Sequence, residues 1–169
     1  MTNHIVLFEP LMPSNTGNIA RTCAATDTVL DLIYPLGFRT DDKSLKRAGL
    51  DYWHSVNIVY HDDLEAFLAT VPDKKYLYLI TKFSDEIYTD RDFSETAKDH
   101  YFLFGKETTG LPETFMRENT DKCLRIPMTD KVRALNLSNS AAIVLFEALR
   151  QQSFVNLEKK HIYDHDKLK

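Results

Sequence analysis

The sequence predicts an α/β fold, with a mostly parallel sheet and helices on both faces. Three observations lead there. Short apolar runs alternate with segments of helical period along the chain. The first run, Ile5-Val6-Leu7-Phe8, is continuously apolar, as in a strand covered on both faces. The last helical segment, Leu137 to Gln152, is apolar on more than one side.

The elements follow in order. His4 to Glu9 reads as a strand stopped by Pro10, and Pro10 to Asn15 as a loop. Gly17 to Asp27 reads as a helix, with Asn15 as its N-cap and Ile19, Ala20, Cys23 and Ala24 at helical spacing. Val29 to Tyr34 is a second strand, ended by Pro35 and Gly37. Asp42 to Ala48 is a short basic helix, and Asn57 to Tyr60 a third strand. Asp62 to Thr70 is a helix capped by Asp62 or Asp63, with Leu64, Phe67 and Leu68 inward. Tyr76 to Thr81 and Tyr101 to Phe104 are the fourth and fifth strands. Pro112 to Asn119 is a helix with proline in its first turn. Lys122 to Ile126 is the sixth strand. Residues 1–152 are expected as one domain and 153–169 as a polar tail.

The 169 residues suffice to bury a real core. Net charge is −4, which excludes a broadly basic coat for nucleic acid but leaves room for a local patch. The two cysteines, Cys23 and Cys123, have no zinc or disulfide spacing, and the six histidines have no metal spacing, so no metal is expected. A reducing cytoplasm fits, and no run is long enough to span a bilayer.

Three polar loops follow predicted strands. The first is Asn15-Thr16-Gly17-Asn18-Ile19-Ala20-Arg21, where Arg21 lies about one turn beyond Gly17 and Asn18. On spacing alone, a well-capped helix with a solvated arginine accounts for it slightly better. The second is Gly105-Lys106-Glu107-Thr108-Thr109-Gly110-Leu111-Pro112. It is not a phosphate loop, since Leu111-Pro112 follows its second glycine. No G-x-G-x-x-G occurs, so a Rossmann nucleotide site has no support. The third runs from Ile126-Pro127-Met128 to Arg133-Ala134-Leu135-Asn136-Leu137-Ser138-Asn139, a helix start dense in amides and hydroxyls. One cap would explain one of Asn136, Ser138 and Asn139, not all three. Lys43, Lys46, Arg47 and His54, beside Trp53, form a local basic cluster that could meet RNA or simply be solvated.

Together, N-x-G-N-x-x-R, F-G-x-E-x-x-G-L-P and I-P-M with L-N-L-S-N resemble, in order and spacing, the three motifs of the SPOUT methyltransferase superfamily. Lys46-Arg47-Ala48-Gly49-Leu50-Asp51-Tyr52 is similar to the subfamily that methylates the wobble ribose of tRNA, at cytidine or uridine. The resemblance covers roughly residues 4 to 152. It implies a SPOUT fold with a C-terminal trefoil knot, a homodimer, and S-adenosyl-L-methionine held in the knot and released as S-adenosyl-L-homocysteine. It implies a catalytic set of Arg21, Glu107, Asn136 and Ser138, the last three shaping the loops. It implies cofactor contacts from Leu79, Thr81, Gly105, Gly110, Ile126, Met128, Ala134, Leu135 and Asn139, largely through backbone. Asn15, Asn18, Lys46, Arg47 and Arg133 are implied contacts to tRNA.

The chain departs from the superfamily in three places. Ala134 stands where serine is frequent, Thr109 where many relatives have arginine, and Phe146 where close relatives have tyrosine. A ribosomal RNA substrate, or an RNA-binding module without turnover, is the competing expectation. A flavodoxin-like binder is disfavoured by the missing phosphate loop.

Overall fold

The computed structural model describes residues 1–40 and 50–160, with the side chains of 50–52 left aside. The basic helix expected over Asp42 to Ala48, with Lys43, Lys46 and Arg47, lies outside the described residues.

The order is β1 (Asn3–Phe8), α1 (Pro13–Thr26), β2 (Val29–Ile33), a 3-10 turn (Leu50–Ser55), β3 (Ile58–His61), α2 (Leu64–Thr70), β4 (Leu77–Ile80), β5 (His100–Phe104), α3 (Glu113–Glu118), β6 (Cys123–Leu124) and α4 (Leu137–Gln151). The six strands form one sheet in the order β3-β2-β1-β5-β4-β6, and every pairing is parallel. The expected fold class therefore holds.

Strand alternation sorts the core into two layers. Ile5, Leu7, Leu30, Leu32, Phe102 and Phe104 face α1 and α4. Val6, Phe8, Ile33, Leu79, Tyr101 and Leu103 face α2 and α3, and are covered by Phe67, Phe115 and Met116. Each layer excludes water from one face, which is why the runs are apolar throughout. One buried polar group interrupts the second layer. Asp31 bonds His4 Nδ1 and His61 Nε2, each at 2.7 Å.

Two expected boundaries shift. Helix α1 begins at Pro13, four residues before the expected Gly17, because Pro13 at N1 lacks the N–H that a cap would have to satisfy. Asn15 is consequently inside the first turn and is not the N-cap; Met12 holds that place without a side-chain bond. At the other end, Phe154 and Leu157 pack on the first core layer, so apolar packing runs past residue 152. On α4, Ala141, Val144, Leu145, Ala148 and Leu149 are buried, while Ile143 and Phe146 are 37% and 47% exposed.

The chain goes from β1 outward to β2 and β3, then crosses to β4, β5 and β6 on the other side. The strand order reverses between β1 and β5, and a crevice at the carboxyl ends of those strands is where open α/β sheets bind ligands.

Candidate functional site

All three polar loops meet at that crevice. The first leaves β1 through Glu9, whose φ of 45° turns the chain sharply. It enters α1 with the N–H groups of Leu11 and Met12 unsatisfied by the helix. Glu107, from the loop after β5, takes both: Oε2 accepts from Leu11 N at 2.9 Å and Oε1 from Met12 N at 3.1 Å. A carboxylate at a helix N-terminus also meets the positive end of the helix dipole. The neighbouring Lys106 pairs with Glu9 and sits 5.4 Å over the Phe8 ring. Two consecutive side chains thus clamp one loop to the other.

The second loop closes on itself. Lys106 and Gly110 exchange backbone hydrogen bonds at 3.2 and 3.0 Å. A Cβ on Gly105 would stand 2.1 Å from the Gly110 carbonyl carbon, so glycine there is required by the loop's own closure. Gly110 has φ +73° and faces open space, with nothing within 4 Å of a built Cβ. Its backbone is therefore the part of this loop that a ligand can approach closely.

The third loop delivers Asn136 as the N-cap of α4. Its Oδ1 accepts from Ser138 N at 2.9 Å, Ser138 Oγ at 2.6 Å and Asn139 N at 3.3 Å. Its amide donates to Asn15 Oδ1 at 3.0 Å, and Asn15 in turn donates to Glu107 Oε1 at 3.3 Å. The chain Glu107–Asn15–Asn136 joins residues about a hundred positions apart and ties the three loops into one frame. The cap accounts for Asn136 and the Ser138 hydroxyl together, which the sequence alone left open.

A fourth loop completes the crevice. Thr81 N–H donates to Leu124 O at 2.9 Å, Arg125 N–H to Glu86 O at 2.9 Å, and Tyr88 N–H to Arg125 O at 3.0 Å. The excursion over residues 82–85 is therefore pinned at both ends by consecutive residues. Ser84 Oγ fastens its middle to Cys123 O at 2.6 Å. Beside it opens a cavity of about 1010 Å³, whose walls include Phe83, Lys106, Thr109, Gly110, Met116 and Thr81. Phe83 is 73% exposed at its edge.

The expected site residues divide by position. Thr81 and Gly110 line the cavity. Glu107, Asn15, Asn136 and Ser138 form the frame, with Asn139 joined through its N–H. Leu79 is fully enclosed, paired with Leu103 and Cys123 on either side, and offers no open surface. Ile126 is buried in the first core layer and Leu135 packs against it; Met128 is half-buried, and Ala134 and Arg133 are exposed. Asn18 and Arg21 are exposed on α1, whereas Gly17, expected on their side, faces the interior. Lys46 and Arg47 lie outside the described residues. The reading of the sequence missed Lys106, Ser84 and Phe83. Lys106 was legible as a cation beside Glu107, whereas Ser84 carries no local signal, because its partner Cys123 is 39 residues away.

The chemistry available is narrow. Burial pushes both thiols up, Cys23 strongly and Cys123 less, so neither is a nucleophilic thiolate. Among the described residues no group of His, Cys, Asp and Glu could hold a metal ion, and no helix is long and apolar enough to cross a membrane. What remains is amides, backbone groups, a clamped carboxylate and cations: a site that binds and aligns.

The comparisons with known proteins agree in scale with that frame. The model of the SpoU rRNA Methylase family matches residues 2–146. A Lactobacillus gasseri protein provisionally named RNA (cytidine(34)-2′-O)-methyltransferase is 64% identical over 169 residues, covering 100% of this chain and 91% of its own. A solved structure described as giving insight into the 2-OH methylation of C/U34 on tRNA is 38% identical with a TM-score of 0.82, covering 90% of this chain and 97% of that one. The SpoU methyltransferase AviRb from Streptomyces viridochromogenes, solved with the cofactor AdoMet, is 25% identical with a TM-score of 0.75, covering 92% and 58%.

Proposed function

The chain belongs to the SpoU rRNA methylase family, and from that we propose that it is an enzyme that methylates the 2′-oxygen of the wobble ribose, cytidine or uridine, in tRNA, using S-adenosylmethionine. The observation that carries the reading is the Glu107–Asn15–Asn136 chain, which holds three motif loops together at the switch point of the sheet. A ribosomal RNA substrate is the second reading, favoured by the family's own description. The relatives at 64% and 38% identity, whose names specify position 34, weigh toward tRNA.

Bound S-adenosylmethionine supplies the methyl group as a sulfonium. The residues fit such a group where the Gly110 backbone faces open space and Thr81 lines the same cavity. Met128, Ala134, Leu135 and Asn139 are assigned to the same group from the third loop, whereas Leu79, Gly105 and Ile126 do not line the cavity. The task left to the protein is alignment of the ribose hydroxyl and of the charge that develops on it. Arg21 offers a fork of N–H donors and no acceptor, so its role is to hold a substrate phosphate and stabilise the nascent alkoxide. Glu107, Asn136 and Ser138 keep the frame in which Arg21 is presented. Asn18, Arg133, Lys46 and Arg47 extend the cationic and polar contacts along the RNA, which gives binding a strong salt dependence.

Two architectural features belong to the same proposal. The pinning of Leu124 and Arg125 between Thr81 and Tyr88 supports a chain threaded through that loop, the trefoil knot of the superfamily. The exposed Ile143 and Phe146 on α4 support a homodimer in which a second copy covers them. A tRNA substrate also makes the enzyme cytoplasmic.

The test is methyl transfer from labelled S-adenosylmethionine to unmodified tRNA, with nuclease mapping of the product. Label on the 2′-oxygen of nucleotide 34 is the expected result. Label on ribosomal RNA alone sinks the tRNA reading.

A further inference from the structure

Two tyrosines stand apart from the frame just described. Tyr34 follows β2 and Tyr60 lies in β3, and their rings stack with centroids 5.9 Å apart and planes at 26°. They are 39% and 42% exposed, unlike the enclosed aromatics of either core layer. The rings are held from behind. Tyr34 N–H donates to His61 O at 2.9 Å, and the Tyr60 side chain hydrogen-bonds Thr40. The pair is thus an exposed aromatic surface anchored through the Tyr34 backbone and the Tyr60 side chain.

Its position matters. Tyr60 pairs in register with Leu32, so both rings lie on the face of the sheet that carries α1 and therefore Arg21. The strand ends beside it touch the site directly: Glu9 N–H donates to Ile33 O at 3.0 Å, and Gly37 N–H to Pro10 O at 2.9 Å. From β1 to β3 is two interstrand spacings, roughly 10 Å. A nucleotide next to the one being methylated falls within that reach. The sequence that follows Thr40 supplies Lys43, Lys46 and Arg47, the charge an RNA backbone requires.

We propose that Tyr34 and Tyr60 form a stacking platform for an unpaired base of the RNA, adjacent to the reacting nucleotide. It rests on the RNA-methylating reading above. Stacking of a base on an aromatic ring tolerates any sequence, because every base has a π-face. The platform therefore selects an open, unpaired loop over a duplex, and does so without reading bases.

The experiment uses the full chain with a labelled anticodon stem-loop, read by fluorescence anisotropy, alongside methyl transfer to whole tRNA. Tyr34→Leu and Tyr60→Leu are each expected to weaken stem-loop binding and raise KM for tRNA roughly tenfold, with kcat within about twofold. Tyr34→Phe and Tyr60→Phe should restore both values, since the ring and not the hydroxyl does the stacking. Replacing the stacked base by an abasic site should remove the cost of the leucine variants at one loop position only. Unchanged binding and KM in the leucine variants, or phenylalanine variants as weak as leucine ones, overturns the platform. If the wild type binds the stem-loop through the tyrosines but transfers no methyl, the platform stands and the reaction reading falls. If the wild type neither binds nor methylates the RNA, both fall.

Discussion

Replacing Glu107 by alanine separates its two conceivable roles, in the frame or in the chemistry. The carboxylate accepts three hydrogen bonds, from Leu11 N at 2.9 Å, Met12 N at 3.1 Å and Asn15 Nδ2 at 3.3 Å. A bond to a charged acceptor contributes about 1.5–3 kcal/mol where water cannot replace it. Met12 is 48% exposed, so water replaces that contact. The Leu11 and Asn15 contacts remain, the second long, and together they amount to about 3 kcal/mol, the weak end of that range for two bonds. At ~2–4 °C per kcal/mol for a chain of this size, the melting temperature should drop roughly 6–12 °C. Glu107→Gln keeps one accepting oxygen but turns an NH2 toward donors, so about half of that loss is expected. Thermal and urea unfolding read the effect, with methyl transfer measured well below the transition. Turnover should fall in both variants, in step with the loosened loops. A Glu107→Ala protein as stable as wild type within ~0.5 kcal/mol, yet devoid of turnover, would refute the frame and make Glu107 a group that touches the reactants.

Four further outcomes are expected. Arg21→Ala should abolish methyl transfer while leaving cofactor affinity by calorimetry and oligomeric state by sedimentation unchanged; normal turnover removes Arg21 from the site. Asp31→Ala strands the buried His61 and the half-buried His4, whose Nε2 and Nδ1 lose partners at 2.7 Å, and should lower unfolding free energy by about 2–4 kcal/mol in urea titrations. Gly105→Ala places a Cβ inside the closed 105–110 loop and should lower cofactor affinity at least tenfold; equal affinity means the loop is softer than its hydrogen bonds indicate. Burial lowers the pKa of His100 below its usual 6.5. The unfolded chain then binds a proton that the folded one refuses, so the stability His100 contributes is present above about 6.5 and is lost as pH falls from there toward the folded pKa. Urea midpoints at pH 7.5 and 5.5 should differ less in His100→Gln than in wild type.

How much of this was legible follows from the range of each interaction. The strands were plain because a doubly covered strand needs an unbroken apolar run, and Ile5-Val6-Leu7-Phe8 can do little else. The α4 start was plain because Asn136, two residues before Ser138, is a local device. The α1 start was misplaced because two local signals compete there, Pro13 at N1 and Asn15 as a cap, and a residue from another loop decides between them. Asn15 spends its amide on Glu107 and its oxygen on Asn136, which no sequence window contains. Gly105 reads like a glycine for a ligand, yet the group it must avoid is the carbonyl carbon of Gly110 in its own loop. Motif residues were thus correctly collected, while their partners, set by long-range closure, were not.

The central place of β1 has a consequence for synthesis. One edge of β1 pairs with β2, about 25 residues downstream, but the other waits for β5, with His4 opposite Tyr101. A ribosome adding ~5–20 residues per second makes β2 and then needs on the order of ten seconds to make β5. During that interval Ile5, Leu7 and their neighbours present an open parallel edge with nothing to complete it. The nascent chain is therefore most prone to mispairing with another copy in the middle of its own translation. Slow decoding between residues 40 and 100 should lower soluble yield more than slow decoding after Phe104.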